Sequence, residues 1–130
     1  NSKFTIMENR SNGHTAIQNI LLNEWVGYDA WQEVPLKYLV QTDSIMFIDW
    51  YIPSLKLCIE LQGQQHYKAT SFSSHESAID REFGFIASKN RDRLKANLLR
   101  ENGFLFMEIP YTDFKKIDSI YLSNKLKELM

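Results

Sequence analysis

The sequence has few cysteines and histidines, the residues that form disulfides or bind metals in small domains. Its 130 residues include one cysteine, Cys58, and three histidines. No intrachain disulfide can form, and one thiol cannot make a zinc site without several histidines nearby, so we expect a reducing, intracellular and cytoplasmic setting. No apolar run is long enough to span a bilayer and nothing resembles a signal peptide, so we expect no membrane partner.

The sequence also has little net charge. The formal charge is -1, which gives no global basic signal for nucleic acid. The distribution is uneven, because five basic residues and one acidic residue lie between positions 89 and 100. This pattern fits a phosphate-binding surface, and it equally fits a solvated helix face.

The length predicts one domain over residues 1–130. Residues 1–10 show no regular spacing of apolar residues and are interpreted as a flexible arm. Because the chain begins at Asn1 rather than Met, we expect it to be part of a longer protein or a processed product.

Apolar spacing predicts an α/β domain with a small mixed β-sheet flanked by helices. A helix is predicted from Ser11 or Asn12 to Gly27, and a second, long helix from Ser77 to Glu101, with a break near Gly84 left open. The strands are predicted at Glu33–Val40, Ile45–Ile52, Lys56–Gln62 and Phe104–Ile109, followed by a last helix with Ile117, Leu122, Leu126 and Leu129. Residues 68–77 are polar and are interpreted as a loop. Trp25, Trp31 and most phenylalanines are expected in the core rather than stacked on bases.

Two acids stand in otherwise apolar strands. Asp49 lies in one predicted strand and Glu60 in the next, joined by a turn at Pro53 and Ser54. A carboxylate is costly to bury without a cation or a hydrogen-bond partner, and two close carboxylates raise each other's pKa. A hard divalent cation relieves both costs. The alternative is that each acid pairs with an Arg or a Lys.

Three residues at or just after the end of the strand that carries Glu60 are further candidates for the site. Gln62 shares the face of Glu60, and Gly63 allows close approach of a ligand. His66 is suited to bind phosphate, to protonate a leaving group or to hold a water, although a surface histidine is an equal alternative.

A second motif lies on the long helix. Asp92 and Lys95 are three residues apart and share a helix face. A lysine beside a metal site can stabilise a pentavalent transition state, whereas the alternative is a plain surface ion pair.

Together these residues resemble the PD-(D/E)xK nuclease superfamily. Asp49 and Glu60 match the two acid positions of its core. Gln62, two residues after Glu60, stands where a lysine is usual. The resemblance implies a restriction-endonuclease-like fold, metal ligation by Asp49, Glu60 and the Leu61 carbonyl, and a catalytic lysine moved to the helix at Lys95.

A closer similarity is to the Vsr-like branch and to small phage and viral nucleases. It rests on Asp49, on Gly63 with His66, on Arg91-Asp92, and on Leu99 to Gly103 leading into the last strand. Relatives place a Glu early in the first helix. The matching position here is His14, with Glu24 as the alternative. The resemblance also implies a bacterial or phage-like origin.

The expected function is therefore a metal-dependent endonuclease acting on DNA rather than RNA. Mg²⁺, or Mn²⁺, is the expected cofactor, and Asp49, Glu60, Gln62, Lys95 and His66 are the expected catalytic residues. Asp92 and His14 are expected to support them, and Lys89, Arg91 and Arg93 to contact phosphates. A structure-selective or RNA-directed nuclease remains an alternative. A second alternative is a catalytically inactive nuclease-like module that binds nucleic acid or protein. A further DNA-binding domain or a homodimer is an expected partner.

Overall fold

A computed structural model describes residues 12–62 and 78–130. Within these ranges the chain is a mixed α/β structure whose sheet is flanked by helices, as the sequence predicts. No helix of the described ranges is long and apolar enough to cross a membrane. The helices are α1 (Asn12–Asn23), α2 (Ala78–Glu101) and α3 (Ser119–Leu129), and the strands are β1 (Trp31–Pro35), β2 (Phe47–Ile52), β3 (Leu57–Gln62) and β4 (Leu105–Pro110).

The described strands form one sheet in the order β1-β2-β3-β4. β1 with β2 and β2 with β3 are antiparallel, whereas β3 and β4 are parallel and place Glu60 opposite Glu108. A parallel pair needs a long crossover connection, and α2 lies within that connection. The sheet is therefore mixed.

The alternation of β3 divides the core between two faces of the sheet. Leu57, Ile59 and Leu61 pack with α1 and α3 in one cluster of buried residues. Cys58 packs with Ala96 and Leu99 of α2 in a second cluster. Glu60 and Gln62 share the face of Cys58, so the predicted polar side of β3 faces α2.

The first two strands are displaced from their predicted bounds. Instead of Glu33–Val40, β1 covers Trp31–Pro35, and a 3₁₀ turn follows at Leu36–Tyr38 because Pro35 has no N–H to continue a ladder. β2 begins at Phe47 rather than Ile45. The preceding residues turn instead, since the Ser44 N–H donates to Thr42 Oγ1 and the Met46 N–H donates to Ser44 Oγ.

The helix ends follow the backbone bonding. α1 stops at Asn23 rather than at Gly27, because the Glu24 and Trp25 N–H groups both donate to the Ile20 carbonyl. α2 runs unbroken through Gly84 to Glu101. Gly103 follows with φ +84°, a conformation that favours glycine and ends the helix as predicted.

Two aromatic expectations have different outcomes. Trp25 is buried in the cluster of α1, as predicted. Trp31 is 37% exposed, so its predicted place in the core is wrong. The reason is that β1 lies at the end of the described sheet and the Trp31 side chain is on the exposed side of the strand.

Candidate active site

The structure brings the two predicted carboxylates together where the β2–β3 ladder changes. Regular pairing includes Trp50 opposite Ile59. At the next residue of each strand, carboxylates accept the main-chain bonds instead. The Leu61 N–H donates to Asp49 Oδ2 at 2.9 Å, and the Asp49 N–H donates to Glu60 Oε2 at 3.4 Å. Each acid is therefore held by the main chain of the strand that carries the other.

The backbone is also irregular on the other side of Asp49. The β1–β2 register pairs Val34 with Ile48 and Gln32 with Trp50, so Glu33 lies opposite Asp49. Glu33 has φ +52°, a left-handed conformation that a residue with a side chain adopts at a cost. Ile48 and Trp50 would share a face in a regular strand, yet they pack in the two different clusters. β2 therefore twists at Asp49.

Lys95 of α2 reaches this point from above the sheet. Its Nζ donates to Glu60 Oε1 at 2.9 Å and to the Phe47 carbonyl at 2.9 Å. The two neighbours Ala96 and Leu99 are buried and anchor this face of the helix. The Lys95 side chain is 10% exposed and that of Glu60 is 14% exposed, so the ion pair is largely shielded from solvent.

Burial and charge both act on the acids of this site. The pKa of Glu60 is raised to about 7 by burial first and by Asp49 second, against the lowering effect of Lys95. Asp49 is 27% exposed, so a solute can reach the pair. Two oxygen-donor acids this close together suit a hard divalent cation. The described residues hold no cluster of three or more His, Cys, Asp or Glu side chains set to bind a metal. Within the described residues, further ligands would be main-chain or amide oxygens, or water.

His14 lies next to the acids, in the first turn of α1. Its Nε2 is 4.0 Å from Asp49 Oδ1, and its ring centroid is 5.1 Å from that of Trp50. Glu24, the alternative for this position, is exposed and follows the end of α1. Of these two candidates, His14 is therefore the one that reaches the site.

Gln62 is buried at the end of β3, and its amide nitrogen is bonded across the sheet to β4. Its Nε2 donates to Glu108 Oε2, and Arg100 Nη2 lies 3.5 Å from Glu108 Oε1. Because an amide must turn its nitrogen to a carboxylate, the Gln62 Oε1 is directed away from Glu108. Glu108 was not predicted from the sequence. Its place follows from the β3–β4 register, which the alternation within each strand does not give.

The remaining candidates are distributed around the site. The Leu61 main chain lies beside Asp49, while a ligand role for its carbonyl stays a prediction. Asp92 is half-buried on α2. The bonds of Lys95 are to Glu60 and Phe47, so the role of Asp92 in orienting Lys95 or His66 stays a prediction. Arg91 and Arg93 are exposed and Lys89 is half-buried. His66 and Gly63 lie outside the described residues.

Two uncharacterized viral proteins are similar to this chain. It is 41% identical to protein 307L of Invertebrate iridescent virus 6 over 83 residues, which are 63% of this chain and 38% of that protein. It is 31% identical to protein 033L of Invertebrate iridescent virus 3 over 90 residues, which are 68% of this chain and 43% of that protein. The chain therefore spans less than half the length of the curated relatives it matches. No family model and no solved structure matches it.

Proposed function

We propose that the chain is the catalytic domain of a metal-dependent endonuclease that hydrolyses phosphodiester bonds, in DNA rather than RNA. The observation that carries the proposal is the crosswise bonding of Asp49 and Glu60 with Lys95 alongside. Two adjacent carboxylates in a largely buried site are stabilised by a divalent cation, and a nuclease uses such a cation in catalysis.

The fold that we propose is a restriction-endonuclease-like core of the PD-(D/E)xK type. Its support is the order of the elements: a helix before the sheet, acids on two adjacent antiparallel strands, and a crossover helix before a parallel strand. Lys95 on that helix takes the place of the lysine that Gln62 replaces on β3.

In this proposal Asp49 and Glu60 hold Mg²⁺ or Mn²⁺ through their carboxylate oxygens, with the Leu61 carbonyl as a further ligand. When bound, the cation acidifies a water and neutralises charge on the scissile phosphate. Lys95 keeps its ammonium at the edge of the two acids, where it stabilises negative charge as it develops on the phosphate. Its bond to the Phe47 carbonyl fixes the position of that ammonium.

Three further side chains have positioning roles. Gln62, whose nitrogen donates to Glu108, is proposed to position a water or ligand at the site. His14, beside Asp49, supports that acid, and His66 keeps its role toward the phosphate, the leaving group or a water as a prediction. Lys89, Arg91 and Arg93, which precede Lys95 on α2, are the proposed contacts to flanking phosphates.

The test is cleavage of supercoiled plasmid and of labelled oligonucleotides in Mg²⁺ and in Mn²⁺. We expect Asp49→Asn and Glu60→Gln to lower the rate by at least about 100-fold and Lys95→Met by roughly 10- to 1000-fold, as for groups that act on the transition state. Glu101→Gln, an exposed acid at the end of α2, is the matched control and should cut like the wild type. Each variant is checked by circular dichroism. Wild-type rates in folded Asp49→Asn and Glu60→Gln would contradict the proposal.

The ion pair itself favours a second candidate. Lys95 already neutralises part of the charge of Glu60, as a structural pair would. The chain would then be an inactive nuclease-like module that binds nucleic acid or protein. Tight binding of an oligonucleotide without cleavage in any metal, together with no Mg²⁺ or Mn²⁺ uptake by calorimetry, selects this candidate.

The size of the relatives bears on the rest of the protein. Since this chain covers less than half of each, we propose that a nuclease domain of this type works with additional chain, such as a DNA-binding domain. One site cuts one strand at a time, so cutting a duplex requires a homodimer or two sequential nicks.

A further inference from the structure

An open groove lies beside the candidate site, at the start of β2. Its volume is about 420 Å³, within the range of pockets that bind small molecules. The side chains that matter for its chemistry are Lys37, Tyr38, Asp43, Ile45 and Phe47.

The groove is held open by local hydrogen bonds. The Leu36 N–H donates to the Met46 carbonyl at 2.9 Å, which joins the 3₁₀ turn to the segment before β2. Ser44 accepts from the Met46 N–H and donates its own N–H to Thr42, so this segment has a fixed shape. Leu36 is fully buried beneath it. The groove is therefore formed before any ligand arrives.

Its apolar side chains are unusually exposed. Ile45 is 89% exposed, Tyr38 is 59% exposed and Phe47 is 53% exposed. Lys37 Nζ lies 5.9 Å from the centre of the Tyr38 ring, so a cation accompanies the aromatic surface. Contiguous exposed apolar groups of this kind mark a binding surface.

The groove shares Phe47 with the surroundings of the candidate active site. The Phe47 carbonyl accepts the bond from Lys95, and Asp49 is two residues further along β2. Two residues of a strand span about 6–7 Å, which is about two stacking steps of nucleic acid. A nucleic-acid strand with a phosphate at Asp49 is therefore long enough to place the base of a nearby nucleotide at Phe47.

We propose, resting on the proposed function, that this groove binds an unpaired base of the nucleic-acid substrate next to the scissile phosphate. Phe47 and Tyr38 stack on the base, and Lys37 contacts an adjacent phosphate. Asp43 repels phosphate but accepts a hydrogen bond from a base amino group. A base inside a duplex is already stacked on both faces and cannot enter, so the chain prefers single-stranded or locally opened substrate.

The test is fluorescence anisotropy with a labelled single-stranded oligonucleotide and the matching duplex, in EDTA so that nothing is cut. Phe47→Ala and Tyr38→Ala should each weaken single-strand binding by roughly 5- to 150-fold, the loss of one stacked base, and should lower the preference over duplex. Ile120→Ala is the matched control, because Ile120 is 71% exposed on α3 and away from the groove. Equal affinities of wild type and both variants would overturn the proposal.

Abasic substitution identifies the occupant. Removing one base at a time from the oligonucleotide should weaken wild-type binding at one position, and the same removal should cost the Phe47→Ala protein little. If no position shows this coupling, the groove does not hold a base and the proposal fails, even if the apolar surface binds a peptide.

The two proposals fail separately. Cleavage that depends on Asp49 but shows the same substrate preference in Phe47→Ala and Tyr38→Ala rejects the groove and keeps the nuclease. In the opposite case, removal of one base and Phe47→Ala show coupled effects on binding, but the wild type does not cleave in Mg²⁺ or Mn²⁺. That result keeps the groove proposal and rejects the nuclease.

Discussion

The Glu60 carboxyl is ionised at a cost in the folded protein. Burial and the nearby Asp49 charge raise its pKa to about 7, above its ordinary value of 4.5, even though Lys95 donates to it. Folding therefore favours the protonated acid in the absence of metal, and the stability that this contributes is complete below about pH 4.5 and is lost as the pH rises through about 7.

We expect this loss to appear in the pH dependence of unfolding. Glu60→Gln copies the protonated carboxyl, so relative to this variant the metal-free wild type should lose on the order of 2 kcal/mol between about pH 4.5 and about pH 8. Urea unfolding of both proteins in EDTA measures the difference. A wild type that instead gains stability against the variant over this range would show that Lys95 outweighs burial.

The single thiol is expected to be inert in the folded chain. Cys58 is fully buried, and burial, with a further contribution from Glu60, raises its pKa to about 12. The thiolate is the reactive form, so a chromogenic disulfide reagent should react only as the protein unfolds. The reaction in denaturant should be complete within the mixing time. Rapid reaction under native conditions would contradict the burial of Cys58.

At the residue scale, the sequence predicted the groups whose burial is expensive. Asp49 and Glu60 stand out because a carboxylate in an apolar strand needs a partner, and Lys95 stands out beside them through the superfamily resemblance. Glu108 did not stand out. It lies in an apolar strand too, but its contact with Gln62 depends on the register between β3 and β4, which lie on either side of α2.

At the scale of elements, α1 sets the position of His14 through one close contact. A Cβ built on Gly13 would lie 2.9 Å from Phe114 Cγ, in the 3₁₀ segment Tyr111–Lys116. The helix approaches this segment closely because Gly13 has no side chain. The neighbouring residue, His14, is carried to Asp49 by the same approach.

We expect Gly13→Ala to destabilise the protein by about 1–3 kcal/mol, because the ring of Phe114 must move, and this exceeds the helix propensity gained from alanine. Thermal unfolding measures the change.

Gly27→Ala is the control. Nothing lies within 4 Å of a Cβ at Gly27, so its change should stay within about 0.5 kcal/mol. Equal effects of the two substitutions would show that α1 is not packed at Gly13.

Elements with a clear sequence signal at their ends were predicted best. β3 alternates between two faces, and α2 has a glycine stop at Gly103, so both matched their predicted ends within one residue. β1 did not match, because an edge strand of five residues with exposed Trp31 and Glu33 has a short and weak period. The 3₁₀ turn after it depends on a bond from Leu36 to Met46, which local sequence does not reveal.

For the whole molecule, a bound divalent cation should act as a stabiliser. A ligand held by the folded chain alone adds about 2.7 kcal/mol at 100 times its Kd, which raises the Tm by roughly 10 °C in a domain of this size. We expect Mg²⁺ or Mn²⁺ to raise the Tm of the wild type near neutral pH. Asp49→Asn should abolish the shift, and Glu101→Gln should keep it.

This measurement needs no cleavage. A shift of equal size in Asp49→Asn and wild type would place the cation elsewhere on the protein, and the proposed ligands would be wrong.

The spacing of the site along the chain has a consequence for how the molecule assembles. Asp49 and Glu60 are joined by a tight turn, whereas Lys95 returns from a long crossover. Local contacts close sooner than distant ones, so the β2–β3 hairpin can form while α2 is still undocked. During that interval the two negative charges face each other with no ammonium between them, and docking of the helix delivers the counter-charge last.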